Sequence, residues 1–152
     1  MILGVISDTH GLLRPEAVEA LRDVDRIIHA GDIGGPQILT ALSQLAPVVA
    51  VRGNNDHGPW AEALPETAVV DAGGTLLYVI HDVGELDLDP GAGGFAAVVA
   101  GHSHRPGQEL RAGVLWFNPG SAGPRRFKLP VAVGRLTVSA GGLQGEILPL
   151  AV

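Results

Sequence analysis

Cysteine is absent from all 152 residues, and that absence excludes disulfide frameworks, thiolate zinc sites and a cysteine nucleophile. Any metal must then be held by His, Asp, Glu or Asn. Long apolar runs are missing too, since no stretch reaches the roughly 18 residues that a membrane-spanning helix needs. The opening "MILGVISDTHG" has no basic leader ahead of an apolar segment, so the expectation is a cytoplasmic chain without membrane attachment. Positive charge is scarce, with 10 Lys and Arg against 16 Asp and Glu and a net charge of −6. Only "PRRFK" at 124–128 gathers cations, which argues against a phosphate-backbone face and against binding of duplex nucleic acid. Charged residues make up 17% and hydrophobic ones 46%, a balance that fits one domain over residues 1–152 with a substantial core.

Short apolar runs are each followed by a polar cluster: "ILGVI" by "SDTHG", "RIIHA" by "GDIGG", "VVAVR" by "GNNDHG". Between them lie two helical patterns, one opened by Pro15 and carrying Val18 and Leu21, the other running from Pro36 through Ile38, Leu42 and Leu45. Strands alternating with helices predict parallel pairing, and continuous apolarity within each strand predicts that both faces are covered. The second half reads differently. "TAVVD", "TLLYVI", "AAVVA", "GVLWFN", "VAVGRLTV" and "LQGEILPL" are strand-like with turn signals between them, which predicts a second, antiparallel or mixed sheet packed on the first. One short helix is expected between Leu86 and Gly94, ending in the flexible "GAGG".

Ligands in open α/β sheets bind beyond the carboxyl ends of the strands, where loops converge. Asp8 and His10 follow the first strand, Asp32 the second, Asn54 the third, His81 follows "TLLYVI", and His102 and His104 follow "FAAVVA". Each alone reads as a cap, a turn former or a hydrogen-bonded structural residue. Together they place seven N and O donors on five loops, and buried charge in such a cluster is costly without a cation. Seven donors exceed the four of a tetrahedral zinc site and suit two five- or six-coordinate dications about 3.5 to 4 Å apart.

The ordered set "DTHG", "GDIGG", "GNND", the single His81, "GHSH" and "NPGS" resembles the calcineurin-like metallophosphoesterase superfamily, and the short length is similar to its small bacterial and archaeal phosphodiesterase branch. The resemblance implies an α/β fold of two packed central β-sheets flanked by helices, a four-layer α/β/β/α sandwich. It implies that Asp8, His10 and His104 bind one metal and Asn54, His81 and His102 the other, with Asp32 bridging both. The two ions are expected to be divalent transition metals, Mn2+ first, with Ni2+, Fe2+, Co2+ and Zn2+ open. The expected substrate is a small phosphate ester, hydrolysed when hydroxide shared by the two metals attacks phosphorus in line. The superfamily also includes a retromer subunit used for protein binding, so a non-catalytic scaffold is the alternative. Homo-oligomerisation is left open.

Two positions depart from the family pattern. Much of the superfamily has histidine where this chain has Asn55, and asparagine cannot act as a general acid at neutral pH. Asn55 and the nearby His57 are therefore the candidate catalytic side chains beyond the metal ligands, His57 as a substitute acid. The second departure is Asp82 after His81, where glycine is usual. His29 reads as a core residue, Asn118 and Ser121 as the floor of the site, Arg52, Arg105, Arg125 and Arg126 as candidate phosphate clamps, and Trp60 and Trp116 as packing or cleft-lining groups.

Overall fold

The computed structural model describes residues 1–152. In chain order the strands are β1 (Ile2–Ile6), β2 (Arg26–His29), β3 (Val48–Ala50), β4 (Thr67–Ala72), β5 (Thr75–Ile80), β6 (Phe95–Val99), β7 (Gly107–Arg111), β8 (Val114–Asn118), β9 (Ala132–Ser139) and β10 (Gly142–Pro149). The helices are α1 (Pro15–Ala20), α2 (Pro36–Ser43) and α3 (Pro59–Glu62). All three open on proline, whose fixed φ suits the first turn and whose missing N–H would have had no partner there.

Two mixed sheets of five strands result, ordered β10-β9-β1-β2-β3 and β4-β5-β6-β8-β7. In the first, β1, β2 and β3 are parallel and β9 and β10 are antiparallel additions. In the second, β5, β6 and β8 are parallel, with β4 and β7 antiparallel at the edges. Side chains alternate across a strand, so Leu3, Val5 and Ile28 of the first sheet meet Leu77, Val79, Val99 and Phe117 of the second in a core between the sheets. The opposite face of the first sheet, including Ile6, Ile27 and Val133, packs under Ala17, Leu21, Ile38 and Leu42 of the helical segments. Tyr78, Ile80, Val98 and Val114 on the outer face of the second sheet are covered by Leu86 and Phe95. This is the expected α/β sandwich of two packed central sheets, with α1 and α2 lying against the first. No helix is long and apolar enough to cross a membrane.

The helix expected between Leu86 and Gly94 is not there. A 3-10 turn at Val83–Glu85, where Asp82 accepts from the Gly84 N–H, precedes that segment, and the helix's place is taken by a turn in which Asp89 accepts from the Gly91 and Ala92 N–H groups. Aspartate bonded to its own backbone in this way competes with helix, and three glycines in "GAGG" add to the cost. β7 and α3 are elements that the hydrophobic pattern does not announce.

Candidate metal centre

The parallel strands β1, β2 and β3 of one sheet and β5 and β6 of the other all deliver their carboxyl ends to the same edge of the molecule. Asp8 and Asp32 are buried there, as are His81 and His104, while His10 is half-buried and Asn54 and His102 are exposed. His10 Nε2 lies 3.4 Å from His104 Nε2. Asp8 Oδ1 is 3.3 Å from His104 Nε2 and 3.7 Å from His10 Nε2. Asp32 Oδ2 is 3.7 Å from His10 Nε2 and 3.3 Å from His81 Nε2. Asn54 Oδ1 joins the cluster at 3.0 Å from His81 Nε2 and 3.2 Å from His102 Nδ1. All seven donors expected from the sequence are thus brought together, the His102 imidazole lying against Asn54 and edge-on to the His81 ring.

Convergence this tight asks much of the backbone. Asp8, His10, Asp32, His102 and His104 all sit at positive φ, between 46° and 70°. Non-glycine residues avoid that region at a cost of about 1–2 kcal/mol each, and such strain collects at functional sites. Close approach also dictates glycine at two motif positions: a Cβ on Gly53 would overlap Asp32, and one on Gly101 would overlap Ser7 and the Asp8 carboxylate.

The donors fit divalent cations. Asp8 Oδ2 accepts from Ser7 Oγ at 2.6 Å and from the His102 N–H at 3.0 Å. Its other oxygen is fully buried and has no hydrogen-bond partner, facing two imidazole nitrogens instead. His81 Nδ1 lies 2.7 Å from the Ala30 carbonyl, so that nitrogen carries the proton and donates. The Nε2 lone pair of neutral His81 then confronts two acceptors, Asp32 Oδ2 and Asn54 Oδ1. Lone pairs aimed at one another across a buried space are balanced by a cation.

Titration behaviour follows from the same contacts. Without a cation between them, burial opposes ionisation of Asp32, yet a hydrogen bond from the protonated form of His81 and those from Asn55 hold its carboxyl well below the usual carboxylate range. His81 moves up: burial disfavours its charge, and the Asp32 carboxylate, the Ala30 carbonyl and the Asp8 charge together more than offset this. Burial pushes His104 down, helped by the charges of Arg126 and His10 and opposed by Asp8.

Around the donors lies a supporting frame. His29 is fully buried, takes a hydrogen bond from the Gly31 N–H on Nδ1 and donates from Nε2 to Thr9 Oγ1 at 3.0 Å, and Thr9 passes its own proton to the Ile33 carbonyl. This chain links the loops after β1 and β2. Ser121 Oγ donates to the Asp8 carbonyl, and the Asn118 amide donates to the Gly101 carbonyl and Ser103 Oγ. Asp56 was not among the expected residues, yet its buried carboxylate accepts from the N–H groups of Ile33, Gly34 and Gly53. It ties the Asp32 loop to the Asn54 loop. The signal for it was its place as the last residue of "GNND".

Burial pushes the His29 imidazole down to about 3. Its folded pKa lies below the ordinary value, so its contribution to stability is complete above about pH 6.5 and is lost as pH falls toward 3, by up to roughly 1.4 kcal/mol per pH unit. Urea midpoints measured across that range should fall less steeply with acid in His29→Gln than in the parent. Equal slopes would show that another group carries the effect.

The other expected side chains are distributed unevenly. Asn55 is held on Asp32, its N–H donating to Oδ1 and its amide to Oδ2, both at 2.9 Å. His57 lines a cleft of about 450 Å³ with Asn54, His81 and Asp82. Arg52 in the same cleft is paired with Glu66 at 2.8 Å. Arg125 donates to the Val152 carbonyl. Trp60 packs against the core beneath the helices, whereas Trp116 lines a second cleft with Arg105.

Residues 1–141 match the family model for the calcineurin-like phosphoesterase superfamily domain. A probable metallophosphoesterase from Methanothermobacter thermautotrophicus is 36% identical, over 97% of this chain and 92% of the relative. Two solved structures share the fold. An archaeal phosphodiesterase superposes with a TM-score of 0.81 at 24% identity, covering 97% of this chain and 100% of that one. Vps29 from Chaetomium thermophilum does so with 0.77 at 16%, covering 98% and 99%. With the match spanning nearly the whole chain and donors from both sheets meeting at one edge, the chain belongs to the calcineurin-like phosphoesterase superfamily.

Proposed function

We propose that the protein hydrolyses phosphodiesters at a centre of two divalent cations, Asp8, His10 and His104 holding one, Asn54, His81 and His102 the other, and Asp32 both. The observation that carries this reading is the buried, unpartnered Asp8 Oδ1 facing His10 and His104, beside an Asp32 carboxylate that faces His10 and His81. Two such cations supply a nucleophile from water at neutral pH and neutralise charge on the phosphoryl oxygens. The chain's own groups do the positioning. Ala30 fixes the His81 tautomer, as carbonyl partners of metal-ligating histidines commonly do. Asn55 orients the Asp32 carboxylate, and Ser7 and the His102 N–H orient that of Asp8. His57 stands in the adjoining cleft, where a leaving group would need a proton.

A binding scaffold is the second reading, favoured by the fold shared with Vps29. A complete donor set weighs against it. Elemental analysis of protein loaded with Mn2+, Ni2+, Co2+, Fe2+ or Zn2+ and freed of excess should approach two ions per chain. A plateau near one would remove the two-metal centre. The same loaded samples should turn over p-nitrophenyl diesters, and no turnover of any mono- or diester with any of these ions would leave the scaffold reading in possession.

A further inference from the structure

Two clefts meet at the candidate centre, and their walls differ in chemistry. Asp82 lines both, and its Oδ2 stands 3.7 Å from His102 Nε2, so these two side chains form the ridge between them. The larger cleft, about 450 Å³, has a single hydrophobic lining residue and carries Glu62, Glu66 and Glu85. Its Arg52 is already paired with Glu66. Such a wall repels anions, and its only aromatic rings are the polar imidazoles of His57 and His81.

The smaller cleft, about 350 Å³, is lined by five hydrophobic residues, among them Val83, Val98 and Trp116. The Arg111 guanidinium lies 4.5 Å from the Trp116 ring centroid, which makes a ready stacking surface, since both aromatic faces and guanidinium planes hold flat rings. Arg105 lines the same cleft, is exposed and makes no ion pair, unlike Arg111, which is bound to Glu109 at 3.3 Å. The floor is fixed because Asn118 ties Gly101 to Ser103. Val83 is 47% exposed at the rim, a position where an apolar side chain is otherwise unexplained.

We propose that the Trp116–Arg111–Val83 cleft binds a planar aromatic arm of the phosphate ester, a nucleobase or an aryl ring, with Arg105 on the phosphate side. The argument for this occupant is continuity with the centre through His102, together with an apolar lining that includes an indole and an arginine free of any ion pair, which the other cleft lacks. The assignment rests on the phosphoester reading above, and the test separates the two.

Trp60→Phe leaves Trp116 as the sole tryptophan, a direct reporter of the cleft. With Zn2+ present, thymidine 5′-monophosphate should quench its emission saturably and bind at least about tenfold more tightly than methyl phosphate, which offers the same phosphate without a ring. Phenyl phosphate matching the nucleotide would assign the cleft to any planar ring, and a nucleotide advantage over phenyl phosphate would assign it to a base. In the same background Val83→Glu, at an exposed position that tolerates the change, should bring the ratio close to one, while Val69→Ser on the far edge strand β4 should not move it. In turnover, thymidine 5′-p-nitrophenyl phosphate should exceed methyl p-nitrophenyl phosphate in kcat/KM if the nucleotide binds more tightly than phenyl phosphate, and should match it if phenyl phosphate binds as well, since both esters carry the nitrophenyl ring. Equal binding of ringed and ringless phosphates, or a ratio untouched by Val83→Glu, overturns the proposal. Hydrolysis together with equal binding of ringed and ringless phosphates would sink the cleft alone, and ring binding without hydrolysis by any loaded form would sink the hydrolytic reading while the cleft stood.

Discussion

Asp32→Asn should lower turnover by on the order of 10³-fold and strip most of the metal, whereas His10→Ala should cost roughly 10²-fold and leave one ion largely in place. The difference comes from where the two side chains stand. Asp32 Oδ2 faces both His10 and His81, so it is the group shared between the two halves of the donor cluster. Its carboxylate is held ionised by His81 and Asn55 against the cost of burial. The amide of the variant keeps the size and removes the charge. It also sets an N–H donor against the two donors of Asn55, losing one of those bonds. His10, half-buried at the rim, serves one half only. Metal content by elemental analysis alongside kcat on a p-nitrophenyl diester separates the cases. Similar losses in both variants would contradict a bridging role for Asp32.

The second large effect concerns the leaving group. The Asn55 amide is committed to Asp32 at 2.9 Å, and asparagine cannot donate a proton to a departing alkoxide in any case. Rates on diesters graded by leaving-group pKa should therefore fall steeply, with activated aryl esters ahead of alkyl esters by on the order of 10²-fold or more. Asn55→His should raise the rate on poor leaving groups relative to p-nitrophenol, because proton donation helps only where the alkoxide is basic. The loss of one hydrogen bond to Asp32 lowers all rates together and does not alter that ratio. A flat dependence in the parent would mean that an acid is already at work. His57, in the cleft beside Asn54 and His81, would then be the residue to replace.

How much of this could be read from the chain alone depends on what kind of signal each part leaves. The donors were legible because each apolar strand stops at a polar cluster, and parallel strands deliver those clusters to one edge. Asn118 and Ser121 were legible as the floor for the same reason, since "NPGS" ends β8. β7 was not, because all five of its residues are exposed and an edge strand without a buried face shows no alternation. The 86–94 segment misled because its apolar residues, Leu86 and Leu88, have the spacing of many structures, and only the bonds of Asp89 to its own backbone decide against helix. Asp56 was passed over because a carboxylate bound to three backbone N–H groups looks, in sequence, like any turn aspartate. Nor does any residue type announce a left-handed backbone when the residue is histidine. The cleft around Trp116 depends on residues from 83 to 118 that only the second sheet assembles.

The five donors held at positive φ set the aims of protein engineering against one another. At each of these positions glycine would adopt the observed backbone without strain, and neither a buried carboxylate nor a crowded imidazole would remain. A redesign guided by backbone strain alone would choose glycine there first. It would yield a chain with a relaxed backbone that has lost the donors one by one. Any thermostabilised form intended to keep the centre must leave residues 8, 10, 32, 102 and 104 as they are and take its gains elsewhere, for instance at the exposed apolar positions Val69 and Leu110.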